Sequence, residues 1–167
     1  MLALLSEAEA ALPALLEDAS SWRSLRIDYH PPLVERLYRP WRDGLRLNLH
    51  RIHPCAPGAA LFHPHPWPSA VKVLSGRYHM RIGYGSGTTE PPVAAEATLT
   101  AGASYTMTDP DAWHDVRPLG GPSLSVMVTG RPWPRAAPVA PARPLSRMSA
   151  EAVSELLGAF RGHYPAG

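Results

Sequence analysis

From position 45 the chain settles into a period of two. Leu45, Leu47 and Leu49 alternate with Arg46, Asn48 and His50, which is a strand pattern. Residues 71–74, closed by Ser75-Gly76, read as a strand and its turn. Over 77–84, Tyr78, Met80, Ile82 and Tyr84 share one face, and Arg77, His79 and Arg81 share the other. Short β-like pieces follow at 97–100 and 104–108. Leu124, Val126 and Val128 mark a last strand, ended by Gly130. The chain ends read differently. Residues 6–19 predict a helix, opened by a capping-box pattern of Ser6 and Glu9 and striped by Leu12, Leu15 and Leu16, with Pro13 as a kink or a new start. Residues 33–41, opened by Pro31-Pro32, predict a second short helix. Residues 131–144 hold five prolines and no period, so they read as an extended linker or surface strap. After them Ser149 suits an N-cap, and Val153, Leu156, Leu157 and Phe160 form one apolar face. Short strands with Gly and Pro turns predict an all-β core, a sandwich or barrel, with the terminal helices packed on its outside.

Composition sharpens that picture. A chain of 167 residues, 45% hydrophobic, suits one domain of ordinary size. Its 20 prolines are about 12% of the chain against roughly 5% usually, which works against a helical bundle. Lys72 is the single lysine, so an arginine-, alanine- and proline-rich codon bias accounts for part of this. A net charge of +2, without an arginine stripe or a recognition-helix pattern, gives no footprint for nucleic acid. One cysteine, Cys55, excludes an internal disulfide framework and a Cys-rich zinc module. The apolar start lacks a basic flank and meets Glu7 and Glu9 at once, so no signal peptide is expected. No apolar run approaches the ~20 residues of a membrane span, and a cytoplasmic protein is the expectation.

Candidate chemistry gathers at the histidines. His63 and His65 lie two apart in His-Pro-His-Pro-Trp-Pro, so an extended backbone points both imidazoles to one side. Two such rings can converge on a metal ion at ~2.0–2.1 Å each. Pro64, Pro66 and Pro68 cannot donate ladder hydrogen bonds, which places the segment at a rim or bulge and stiffens it. Gly76 follows, and then Gly102 opens a stretch ending in Asp109-Pro110-Asp111-Ala112-Trp113-His114-Asp115.

Those residues resemble the cupin family over roughly 45–131. The first cupin motif, His-x-His followed by Glu and Gly, is matched by His63, His65 and Gly76, with Ser69 at the glutamate position. The second, a Gly, a Pro turn and a His, is matched by Gly102, Pro110 and His114. The resemblance implies a cupin jelly-roll β-barrel at 45–131. An N-terminal helical segment, 1–44, packs on the barrel, and 132–167 supply the strap and C-terminal helix. It also implies a three-histidine centre, His63, His65 and His114, similar to that of the thiol dioxygenases of the cysteine dioxygenase group. The tyrosine, histidine and serine beside the metal in that group correspond here to Thr129, Met127 and Ser125, of which only Ser125 agrees. Iron(II) is the metal the resemblance favours, with Ni, Cu, Co, Mn or Zn as alternatives. A homodimer is a family habit.

Three neutral imidazoles leave an ion its full charge and open positions, which suits an anionic or chelating substrate with O2 beside it. Asp111 and Asp115 flank His114 and are candidates to orient an imidazole N–H. Asp111 is also a candidate ligand, while Asp109 and Asp111 equally suit the turn around Pro110. Ser69 completes the acid/base candidates. Arg39, Arg42 and Arg51 are candidates for a bidentate grip on a substrate carboxylate. Tyr78, Met80, Ile82, Tyr105 and Met127 are expected to line the pocket, with Trp67 and Trp113 at its mouth. The expected activity is a mononuclear non-heme metal oxygenase acting on a small molecule. A cupin lyase, isomerase or cyclase that uses no O2, and a non-catalytic ligand binder, are the alternatives.

Overall fold

The computed structural model describes residues 1–134 and 144–166. In chain order its strands are β1 (Arg23–Ile27), β2 (Val34–Pro40), β3 (Arg46–Ile52), β4 (His63–Pro64), β5 (Ser69–Ser75), β6 (Arg77–Tyr84), β7 (Val93–Thr100), β8 (Ser104–Met107), β9 (Ala112–Pro118) and β10 (Ser123–Thr129). They form two antiparallel sheets. One has the order β1-β2-β3-β10-β5-β8 and the other β4-β9-β6-β7. The turn from β5 to β6 crosses between the sheets at Gly76, which has φ +73°. A Cβ there would stand 2.8 Å from the Pro122 carbonyl oxygen, so only glycine fits.

Helix α1 (Leu2–Glu17) and helix α2 (Ala150–His163) cover one face of the six-stranded sheet. Leu5, Leu12 and Leu16 of α1 and Leu156, Leu157 and Phe160 of α2 pack with Leu37, Leu47, Leu49, Val126 and Val128. Each buried leucine stabilises the fold by about 1.5–3 kcal/mol. Ser149 caps α2 by accepting from the Ala152 N–H, and Arg161 donates to the Leu16 carbonyl at 2.7 Å. The other face of the sheet looks across the barrel at β6 and β9. There Val73, Tyr78 and Met80 form a smaller core with Ile82, Leu99, Tyr105 and Val116.

Two expected elements change. The first helix starts at Leu2, not at Ser6, because Leu5 and Ala8 bury against the sheet; Ser6 sits inside it and donates to the Leu2 carbonyl. The helix expected over 33–41 is strand β2, paired through all seven residues with β3, so the N-terminal segment supplies sheet as well as helix. Leu33, Val34, Leu37, Tyr38 and Trp41 also fit a helical period. The polar–apolar alternation of a strand is blurred there because each face of β2 mixes the two, Glu35, Leu37 and Arg39 on one and Val34, Arg36 and Tyr38 on the other. Residues 135–143 of the expected strap lie outside the described residues. The preceding segment is stitched to the histidine-bearing stretch: Gly130 N–H donates to the Pro68 carbonyl at 2.8 Å and Trp133 N–H to the Pro66 carbonyl at 2.7 Å. Among the described residues no helix is long and apolar enough to cross a membrane.

Candidate metal centre

His63 sits in β4 directly opposite His114 of β9, and Ile82 of β6 lies on the far side of His114. His65 follows two residues after His63 and returns to the same side. The three rings meet, with centroids 5.2 Å apart for His63–His65, 5.3 Å for His63–His114 and 4.7 Å for His65–His114. The Nε2 atoms of His65 and His114 face each other at 2.9 Å. One nitrogen from each of the three rings lies within 4.8 Å of the other two. His63 donates its Nδ1–H to the Leu61 carbonyl at 2.9 Å, which turns its Nε2 lone pair outward.

This donor set fits a single cation. Nitrogens bound at ~2.0–2.1 Å to one ion stand roughly 3 Å from each other, close to the observed separation. Burial makes protonation costly and pushes the pKa of His63 down to about 4 and that of His114 to about 3. Burial, with the charges of His114 and His63 next, also holds His65 well below the ordinary range. All three are therefore neutral near pH 7, the form that ligates metal. The Nδ1 atoms of His65 and His114 are buried without a hydrogen-bond partner among the described residues, so only His63 is oriented by the protein through its outer nitrogen.

The inward face of the six-stranded sheet is a grid fixed by strand register. One row runs Arg36, His50, Ser125 and Val73, and the next runs Tyr38, Asn48, Met127, Val71 and Tyr105. A third places Thr129 beside Ser69 and Ser69 beside Met107. Arg36 donates its Nε–H to His50 Nε2 at 2.8 Å. Its positive charge reaches His63 and His65 and adds to the forces keeping them neutral. Across the barrel the Tyr105 ring stands 6.0 Å from His114, and burial raises its pKa to about 12. Tyr78 donates to the Tyr105 hydroxyl at 3.4 Å. A cavity of about 80 Å³ touches His114 and is walled by Met80, Ile82, Tyr105, Met107 and Trp113.

The expected residues divide on this geometry. Met80, Ile82, Tyr105 and Trp113 border that cavity, Tyr78 packs behind it, and Met127 lies buried on the inward grid. Trp113 also donates to the Gly85 carbonyl at 2.8 Å. The Trp67 ring stands 6.1 Å from that of His65. Ser69 is fully buried, and its hydroxyl has no hydrogen-bond partner among the described residues.

Other candidates turn away. Asp115 does not meet His114. Strand alternation puts it on the outer face of its sheet, where Arg81 donates Nε–H to Oδ2 at 2.7 Å. There it lines a second cavity, of about 150 Å³, with His79, Arg81 and Arg117. Asp111 belongs to the turn, with its N–H donating to Asp109 Oδ1 and its carbonyl accepting from Gly85, and it is not one of the clustered ligands. All three nominated arginines serve the helix side. Arg39 donates to Ser21 Oγ at 2.6 Å and lies over Trp22, and Arg42 pairs with Glu7. Arg51 pairs with Glu35 at 3.1 Å and Glu155 at 2.6 Å. The parity of β2 and β3 explains Arg39 and Arg51, because residues 35, 37, 39, 47, 49 and 51 share the covered face, while Arg42 belongs to the turn between the two strands. The same parity brings in Arg36 and His50, which the sequence reading passed over. His50 was legible from the alternation Leu45, Leu47, Leu49; Arg36 was hidden by the helical reading of its segment. His30, also passed over, lies 6.0 Å from the His63 ring.

No family model and no curated protein matches the chain. Solved structures do. The hydroxypropylphosphonic acid epoxidase from S. wedmorenis matches with 23% identity, over 67% of this chain and 56% of its own, at a TM-score of 0.51. The iron(II) form of that enzyme matches with 20% identity, over 67% and 57%, at 0.52. An RmlC-like cupin from Shewanella frigidimarina matches with 15% identity, over 66% and 84%, at 0.47. The chain spans a little over half the length of the epoxidase. The likeness to the epoxidase is one of fold, the two-sheet antiparallel β-barrel. The likeness to the thiol dioxygenases rests on the sequence alone.

Proposed function

We propose that the protein is a mononuclear metal-dependent oxygenase that acts on a small anionic molecule with O2. The observation that carries this reading is the convergence of three neutral imidazoles, His63, His65 and His114, on one point inside a barrel. A set of three nitrogens with no carboxylate leaves a divalent ion positively charged and open to further ligands. When bound, such an ion supplies Lewis acidity and, as iron(II), the capacity to activate O2. The protein supplies the rest. His63 is locked in one tautomer by the Leu61 carbonyl. Met80, Ile82, Met107 and Trp113 give the space beside His114 an apolar wall. The Tyr105 phenol stays protonated and is available to donate toward the same space. The epoxidase of similar fold acts on a phosphonic acid in an iron(II) form, a pairing of metal and small acid that agrees with this chemistry.

The test is metal content and O2 uptake. Purified protein loaded with iron(II) is expected to bind one ion per chain and to consume O2 with a subset of a panel of small carboxylic, thiol and phosphonic acids. His63→Ala should fold and lose the ion, with affinity falling by more than the ~10–100-fold typical of outer partners. A folded wild-type protein that binds no transition metal sinks the reading. Turnover under strict anaerobiosis replaces the oxygenase by a lyase, isomerase or cyclase at the same centre.

A further inference from the structure

We propose that the outer face of the four-stranded sheet carries a second ligand site, a cavity in which Arg117 and Arg81 seat a small oxyanion of the phosphate or carboxylate class. The site is separate from the three histidines and does not depend on the reading given to them. Its floor is set by register: His79 stands opposite Arg117, and Arg81 opposite Asp115, across β6 and β9. Strand alternation turns these four side chains away from Tyr78, Met80 and Ile82, and so away from His114. Pro57, Gly58 and Ala60 of the loop before β4 complete the lining. That loop is held by a turn in which the Ala59 N–H donates to the Ala56 carbonyl at 3.1 Å. The cavity volume is about 150 Å³. A space of that size takes a molecule of roughly six non-hydrogen atoms, the scale of phosphate or a short carboxylic acid.

The charges that line this cavity do not cancel. Asp115 is buried and engaged by Arg81 alone: Nε–H donates to Oδ2 at 2.7 Å, Nη2 pairs with the same oxygen, and the Arg81 backbone N–H donates to Oδ1 at 3.3 Å. The carboxylate is thereby closed to a ligand and does not repel one at short range. The same grip, with the guanidinium lying over the Phe62 ring at 5.4 Å, fixes Arg81 in place. Its Nη1 makes no hydrogen bond among the described residues. His79 is matched by Glu96 at 3.0 Å. Glu90 and Glu96 are the other acids that act on Arg81, and both are exposed. Arg117 is the surplus. It is half-buried, yet among the described residues its guanidinium has no carboxylate within 4.0 Å and no hydrogen-bond partner. Arg42, Arg51 and Arg81 each hold a carboxylate. A guanidinium presents a planar fork that matches two oxygens of one acid, and a charge partly withdrawn from water gains most from such a partner. An oxyanion between Arg117 and the free edge of Arg81 would balance the surplus and use both sets of donors.

The experiment titrates inorganic phosphate and acetate into zinc-loaded wild-type protein, with ionic strength held constant by chloride. Binding is read by NMR at the Nε–H resonances of Arg81 and Arg117. At least one of the two anions is expected to shift both resonances saturably, and the tighter one marks the ligand as a phosphate or a carboxylic acid. Arg117→Gln, followed at Arg81, should weaken that anion by about tenfold or more, the loss expected of a hydrogen-bonded charge. Arg117→Lys, which keeps the charge without the fork, should fall between Arg117→Gln and wild type. Arg77→Gln removes a charge from the same face but outside the cavity and should leave the affinity unchanged. Metal-free His63→Ala should bind the anion as tightly as wild type. Three results overturn the site. One is a chloride response equal to that of both anions. Another is an equal loss in Arg77→Gln and Arg117→Gln, or none in Arg117→Gln, which would mean a diffuse field or no site. The last is loss of binding in folded His63→Ala, which would put the anion at the histidines instead.

Discussion

One residue step along a strand separates two different chemistries in the six-stranded sheet. On the face under the helices, Leu37, Leu47, Leu49, Val126 and Val128 form a dry core, and the charges at its rim come in pairs: Arg51 with Glu35 and Glu155, Lys72 with Glu9, Arg42 with Glu7. On the opposite face of the same strands stand Arg36, Asn48, His50 and Ser125. There the guanidinium meets only a neutral ring, and the hydroxyls of Ser69, Ser123 and Ser125 have no hydrogen-bond partner among the described residues. Buried polar groups in folded proteins are nearly always satisfied. On the covered face the charges are met by carboxylates of the chain, with Nη2 of Arg51 left without a hydrogen-bond partner among the described residues. The inward face leaves three hydroxyls without one, the kind of local inconsistency expected where a sequence serves more than its fold.

The contrast can be broken by substitution. Leu49→Ala, in the covered core, should cost about 2–5 kcal/mol in urea unfolding while metal bound per folded molecule stays constant. A loss of metal in step with stability would mean that the two faces are not separable. Glu35→Gln should cost about 1–3 kcal/mol, because it strips Arg51 and His53 of a nearly buried counter-ion. Arg36→Leu, on the other face, should cost less than about 1 kcal/mol or be stabilising, since it removes a charge that no carboxylate offsets. Equal losses from the two would erase the distinction between the two faces.

Acid gives the gentlest probe. In metal-free protein His63 and His114 stay neutral down to about pH 4 and 3, whereas in the unfolded chain they protonate near 6.5. The unfolded state then binds more protons, so stability is complete above pH 6.5 and is lost as pH falls toward 4. The slope approaches about 1.4 kcal/mol per pH unit for each imidazole. Unfolding midpoints in urea at pH 7.5, 6 and 5 check it, and a flat profile would show the rings to be solvated.

What the sequence made legible follows from where the period was clean. The alternation from Leu45 to His50 and from Tyr78 to Tyr84 corresponds to β3 and β6. The His63, His65, Gly76, Gly102 and His114 spacing pointed to the barrel and its histidine cluster, because a metal site needs particular donors at particular steps. Strand β2 was lost because each of its faces mixes polar and apolar residues, and with it went Arg36. Arg39 and Arg51 lie on the helix-covered face because charge and nearness in sequence say nothing of strand parity, and Arg42 lies in the turn between β2 and β3. Asp115 is placed by the same parity: a neighbour of His114 in the chain lies on the opposite face of the sheet, paired with Arg81.

The prolines around the histidines have an effect outside the site as well. β4 is the edge of its sheet, and an open edge is a template on which a foreign strand can add. Pro64, Pro66 and Pro68 present no N–H there, and the carbonyls of Pro66 and Pro68 are already held by Trp133 and Gly130. The strand that carries His63, with the His65 segment after it, is thereby a poor nucleus for amyloid-like growth and can form the edge of its sheet without recruiting another chain.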